Sequence, residues 1–143
     1  MPNIELSVKL FYPDAQIPYQ KYLDDAGVDL FSYHELVIQP HDTIKLDCGI
    51  AIDIPVGYFG LITPRSSWRA KGLLCQSIFD AGFQGLIEPF TTNLSSNPVS
   101  ILKGERVLQL VILPIPVSKT CSIVEDFNPS LRGSNGVGST GKF

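Results

Sequence analysis

Val107-Leu108-Gln109-Leu110-Val111-Ile112-Leu113-Pro114-Ile115 is a near-continuous apolar run. It reads as a strand buried on both faces. Other segments point the same way. Ile4 to Phe11 alternates through Ile4, Leu6, Val8 and Leu10, and Thr43 to Ile54 alternates through Ile44, Leu46, Cys48, Ile50 and Ile54. Leu36-Val37-Ile38, Tyr58 to Thr63 and Gly85 to Asn93 are further apolar runs bounded by turn residues, and Ser122 to Phe127 reads as a last short strand. Eleven prolines and twelve glycines punctuate the chain too often for long helices. Ser66-Ser67-Trp68-Arg69-Ala70-Lys71-Gly72 alone looks helical, with serine as N-cap and Gly72 as the stop. Many short strands with one short helix predict an all-β sandwich or barrel.

The 143 residues fit one domain, and 44% hydrophobic against 17% charged residues is a globular composition. A formal net charge of −3 argues against non-specific binding to duplex DNA. It leaves room for a small phosphate ligand, which needs only a few local Arg, Lys and backbone N–H groups. Cys48, Cys75 and Cys121 are odd in number and form no CxxC or Cys/His zinc spacing, so they read as reduced, buried thiols. Met1-Pro2-Asn3-Ile4-Glu5 has neither a basic flank nor an apolar signal core, and no apolar run reaches the roughly 18 residues of a membrane span. The expected location is the cytoplasm of a cell or of an infected host, with no membrane or nucleic-acid partner.

Five segments are polar or glycine-rich where a strand would otherwise continue: Ala26-Gly27-Val28-Asp29-Leu30, Pro64-Arg65-Ser66-Ser67, Phe79-Asp80-Ala81-Gly82-Phe83-Gln84-Gly85, Gly104-Glu105-Arg106-Val107-Leu108-Gln109, and Arg132-Gly133-Ser134-Asn135-Gly136-Val137-Gly138-Ser139-Thr140-Gly141. The last is either a linker-like tail or a donor-rich strip able to wrap a polyphosphate, with Arg132 suited to a terminal phosphate. Arg65 and two serine hydroxyls open the short helix, where free N–H groups attract anions. Asp80 either makes a turn or, beside a bound phosphate, orients and deprotonates a water.

In this order and spacing the five segments resemble the five motifs of the trimeric dUTPase family, over about Ala26 to Gly141. The resemblance implies a distorted jelly-roll barrel (residues 1–127), a glycine-rich C-terminal arm (residues 128–143) closing over the ligand, and a homotrimer with active sites at subunit interfaces. It implies hydrolysis of dUTP to dUMP and pyrophosphate, with Mg²⁺ held by the triphosphate and no direct metal ligand from the protein. Asp80 matches the aspartate that positions the attacking water. Phe83 matches the ring beneath the deoxyribose that leaves no room for a 2′-hydroxyl. Arg65, Ser66, Ser67, Ser77 and Gln109 fall among substrate-binding positions, Ser66 and Gln109 on the phosphates. Arg132 matches the arginine that reaches the γ-phosphate, and Val137, Gly138, Ser139 and Thr140 fall on the arm's ligand-facing stretch. Asp29 matches a supporting carboxylate.

The sequence departs from the family pattern in places. Val137 stands where the arm usually carries a phenylalanine stacking on uracil, Gly82 where a second acid is usual, and Ser77 where glycine is usual. The stretch from Arg65 to Asp80 is short, so the hairpin expected over Leu73 to Phe79 is abbreviated. Two alternatives follow. A dCTP deaminase, or a bifunctional deaminase–diphosphatase, needs a glutamate about ten residues beyond the aspartate; Phe90 stands there, with Glu88 two residues earlier on the same strand face. A non-catalytic nucleotide- or protein-binding member of the fold is the other.

Overall fold

A computed structural model describes residues 3–143. In chain order the elements are β1 (Ser7–Leu10), β2 (Gly27–Phe31), β3 (Leu36–Ile38), β4 (Thr43–Lys45), β5 (Ile50–Asp53), β6 (Tyr58–Pro64), α1 (Ser66–Ala70), β7 (Leu73–Leu74), β8 (Ser77–Phe79), β9 (Phe90–Asn93), β10 (Val99–Ile101) and β11 (Arg106–Pro114). All strand pairs are antiparallel. The main sheet runs β2-β11-β6-β8, a three-stranded sheet runs β4-β9-β7, and β1-β5 and β3-β10 form two-stranded sheets. The result is the all-β architecture that the strand pattern predicts, jelly-roll-like as the family resemblance implies.

The apolar run around Val107 is the inner strand of the main sheet. It pairs with β2 on one side and with β6 on the other. A bulge between Arg106 and Leu108 explains how adjacent Val107 and Leu108 are both fully buried, since the extra residue breaks the period of two. Burial on both faces ends there. From Gln109 onward the strand alternates between buried Leu110 and half-exposed neighbours. Leu30, Ile38, Leu46, Ile62 and Ile101 complete the innermost core, each at 0–1% exposure. Full burial of such a side chain contributes about 1.5–3 kcal/mol.

Several expected elements come out shorter or elsewhere. Thr43 to Ile54 divides into β4 and β5. The amides of Leu46 and Cys48, between them, donate to the carbonyls of Pro89 and Ile87 at 3.0 and 2.9 Å. Pro89 has no N–H to return, so the Gly85 to Asn93 run becomes regular strand only from Phe90. Leu73 to Phe79 is not a hairpin: β7 pairs with β9 while β8 pairs with β6, so the two halves belong to different sheets. Ser122 to Phe127 forms no strand. Ile123 and Phe127 stand 103% and 91% exposed, and no strand edge of this chain reaches them. Cys48 and Cys75 are buried as expected, and burial pushes both thiols up; Cys121 is exposed.

The short helix forms, with one correction to its start. Its N-cap is Arg65, extended at φ −62° and ψ 153° and without a side-chain cap; Ser66 and Ser67 are the first helical residues. Tertiary contacts replace the missing cap. The Arg65 amide donates to Val107 O at 2.9 Å, and buried Trp68 donates through Nε1 to Arg106 O at 2.9 Å. Both bonds fasten the helix to the bulged end of β11.

The N-terminal segment is clamped through Asp14 to the residues that follow β2 and precede β11. Tyr12 and Tyr33 stack at 3.9 Å between ring centroids, and Tyr33 Oη donates to Asp14 at 2.6 Å. Lys103 Nζ reaches the other Asp14 oxygen at 2.7 Å; these two donors, lysine first, lower the Asp14 carboxyl to about 2.

Candidate active site

Where β2, the start of α1 and the bulged end of β11 meet, a cleft of about 430 Å³ opens. Asp29 stands at its base. One carboxylate oxygen takes Arg65 Nε at 3.1 Å and the other takes Arg106 Nη1 at 3.1 Å. Arg65 also donates from Nη1 to Arg106 O at 3.2 Å, and the Arg106 guanidinium lies over the Tyr19 ring at 4.8 Å. Both guanidiniums are therefore fixed in place by protein contacts. Ser66 sits on the rim, and the first turn leaves the amides of Ser66 and Ser67 without intrahelical partners. Gln109 faces Asp29 across β2 and Thr63 across β6, and its Nε2 donates to Thr63 Oγ1 at 3.4 Å.

Of the residues singled out in the sequence, Asp29, Arg65, Ser66 and Gln109 are thus gathered at one cleft. Ser67 follows on the helix but does not line the cleft, and Ser77 lies on β8 opposite Ile62. Three cations also line it that sequence reasoning did not single out: Arg106, Arg69 and Lys21. Arg106 lies inside one of the five segments, but what turns it into the cleft is the bulge beside it and its contact with Asp29, and local sequence shows neither. Arg69 and Lys21 carry no signal beyond their charge. Arg69 anchors by donating to Pro64 O at 3.3 Å. Four cations against Asp25 and Asp29 make the cleft locally positive in a chain of net charge −3.

The Asp29 bridge gives a stability prediction. Asp29→Ala should leave two guanidiniums facing one another without their shared counter-charge. The three side chains are 17%, 33% and 34% exposed, so the cost falls between that of a surface and a buried pair. A loss of about 2–3 kcal/mol is expected, read from the urea midpoint at constant m-value. A loss near zero would mean that water serves the arginines as well as Asp29 does.

The other predicted residues lie apart from the cleft. Asp80 opens a turn closed by Phe83 N–H to Asp80 O at 3.2 Å, with Gly82 at φ 83°. That φ is the left-handed third position of a type II turn, which accounts for glycine where an acid is usual. Phe83 is 46% exposed and meets Phe79 edge-on at 5.6 Å between centroids. Phe79 pairs with Gly60 on β6, so Asp80 follows beside Phe59, whereas Arg65 follows the far end of the same strand. At about 3.3 Å per residue the two are roughly 20 Å apart. The stretch 128–143 is exposed throughout. Arg132 there bonds to its own backbone, through Nε to Asn135 O at 2.9 Å and Nη2 to Gly136 O at 3.4 Å. Val137, Gly138, Ser139 and Thr140 follow in local turns away from the cleft. Glu88 is 40% exposed and paired with Lys45 at 3.9 Å, outward-facing like Phe90, as strand alternation predicts.

The dUTPase family model matches residues 13–141. The deoxyuridine 5′-triphosphate nucleotidohydrolase of Corynebacterium diphtheriae is 36% identical over 141 residues, covering 95% of this chain and 92% of that protein. The dUTPase of Staphylococcus bacteriophage 80alpha with dUPNHPP superimposes with a TM-score of 0.90 at 31% identity, covering 98% of this chain and 100% of that one. A mutant dUTPase from phage phi11 of S. aureus, described as coordinating a structural Mg(II) ion, gives 0.81 at 27% identity, covering 88% and 100%. The chain described here is a member of the dUTPase family.

Proposed function

We propose that this protein hydrolyses dUTP to dUMP and pyrophosphate in a site assembled from copies of the chain. The observation that carries the reading is the fixed cationic cleft of Arg65, Arg106, Ser66 and Gln109, in a chain of this family. Two guanidiniums held by Asp29 are preorganised donors, so they do not reorganise when the triphosphate arrives. The free amides of the first helical turn and the Ser66 hydroxyl add donors on the same side.

Among the described residues no three His, Cys, Asp or Glu side chains gather into a metal-binding group. Asp29 has both oxygens engaged by arginines. The donors present suit phosphate oxygens, so Mg²⁺ fits this site as a passenger chelated by the triphosphate. Bound in that way it supplies charge neutralisation to the phosphates.

In the proposed reaction Asp80 accepts a proton from a water. The water oxygen bonds to the α-phosphorus, and the bond from that phosphorus to the bridging oxygen breaks as pyrophosphate leaves. Phe83 lies beneath the deoxyribose. Positioning and electrostatics carry most of the acceleration. Asp80 and the cleft are too far apart within one chain to meet on one substrate, and the arm touches neither. We therefore infer a homotrimer in which neighbouring copies supply the missing parts, with Arg132, Val137, Gly138, Ser139 and Thr140 closing over the ligand. Exposed Ile123, Phe127 and Leu131 agree with a tail that docks on a neighbour. Among the described residues no helix is long and apolar enough to cross a membrane, and the proposed location is the cytoplasm.

The test is product analysis from dUTP, dCTP, dTTP and UTP with Mg²⁺, by chromatography. Conversion of dUTP alone to dUMP and pyrophosphate is expected. Conversion of dCTP to a uracil nucleotide would overturn the reading in favour of deamination.

A further inference from the structure

We propose that Gly85 is a positioning residue for sugar selection: its missing side chain is the seat in which the Phe83 ring stands. The inference rests on the reading of Phe83 as the ring beneath the deoxyribose. A Cβ built on Gly85 would lie 2.7 Å from Phe83 Cζ, 3.2 Å from Cε2 and 3.5 Å from Cε1, and these are its three nearest neighbours. Gly85 does not have a left-handed φ, so an alanine there strains no backbone. The glycine is needed for space, and the space belongs to one ring.

The rest of the seat comes from nearby residues. Phe79 holds the ring edge-on at an interplanar angle of 61°. The Asp80–Phe83 turn fixes where the side chain leaves the backbone. Gln84 donates to Asp53 Oδ2 at 3.3 Å, which ties the residue between Phe83 and Gly85 to the end of β5. With 46% of Phe83 still exposed, the ring presents a free surface while its far edge is held. It is thereby set before any ligand arrives, the condition for a wall that discriminates small differences in shape.

A hydrophobic wall of this kind rejects an added hydroxyl by about 10²-fold. Carbon atoms pack at about 3.5–4.0 Å, so an alanine at position 85 must push the ring roughly 1 Å out of its seat. The wall then no longer fits beneath C2′.

The experiment compares kcat/KM for dUTP and UTP, with Mg²⁺, in the unmodified protein, Gly85→Ala, Phe83→Ala and the double variant. Gly85→Ala is expected to narrow the dUTP-over-UTP ratio by about tenfold or more. On the Phe83→Ala background it should narrow the ratio no further, because its effect passes through the ring. Phe79→Leu, which removes the edge contact without adding an atom, should narrow the ratio in the same direction and serves if Gly85→Ala does not fold. An unchanged ratio in folded Gly85→Ala, beside a narrowed one in Phe83→Ala, overturns this inference alone. A full effect of Gly85→Ala without the ring also overturns it. An unchanged ratio in Phe83→Ala overturns the reading of Phe83 and the inference with it.

Discussion

Asp80→Asn should lower kcat for dUTP by about 10²–10⁴-fold, the range expected for a positioned general base, while dUTP still binds. The two aspartates of the motif segments differ in what they have free. Asp29 has both oxygens engaged by arginines at 3.1 Å. Asp80 stands exposed in a glycine turn, and among the described residues no cation is paired with it. A carboxylate with both oxygens taken by guanidiniums has none left to hold a water. One with free oxygens, held by a short turn, can orient a water and take its proton. Asparagine keeps the shape and one acceptor oxygen but cannot accept that proton, so the loss should fall on kcat with KM nearly unchanged. Steady-state kinetics with Mg²⁺ and a separate dUTP-binding isotherm read the two quantities. Retained kcat would remove Asp80 from the reaction. Loss of binding with loss of turnover would make it a structural turn residue.

The same contrast shows what was legible in the sequence. Alternation and turn punctuation identified the strands around Val8, Ile38, Ile44, Ile52, Ile62 and Leu110, because each depends on neighbours one or two residues away. The motif segments identified Asp29, Arg65, Ser66 and Gln109, which the fold brings to one cleft. Long-range contacts were not legible. The N-cap role passed from serine to Arg65 because the Val107 carbonyl, 42 residues on, holds its amide. The hairpin from Leu73 to Phe79 failed because β9 and β6 compete for its two halves. Arg106 was passed over because its side chain matters through a bulge and through Asp29, which lies 77 residues earlier. Ser122 to Phe127 has strand-like residues, but a strand also needs an edge to pair with, and local pattern cannot supply one.

The second large effect concerns that tail. A chain ending at Phe127 should still fold, because residues 128–143 are exposed throughout and bury nothing within their own chain. It should nevertheless lose at least about 10- to 100-fold in kcat/KM, the worth of one charged hydrogen bond of the kind Arg132 would make to a phosphate. Arg132 meanwhile bonds to the Asn135 and Gly136 carbonyls of its own arm, contacts that a phosphate must displace. The sharper form of the prediction is complementation. Asp80→Asn supplies an intact arm and no base; the chain ending at Phe127 supplies an intact Asp80 and no arm. If base and arm reach one substrate from different copies, unfolding the two together and refolding them as a mixture should restore activity that neither has alone. Random mixing would restore roughly a quarter of the sites, since closed symmetry lets each site draw its parts from separate copies. Mixing without refolding should restore little, because the copies would have to exchange first. Failure of the refolded mixture, with mixed oligomers shown by mass, would place Asp80 and the arm on the same chain at each site. The arm would then close over the site that holds its own Asp80, with the cleft of that site supplied by a neighbouring copy.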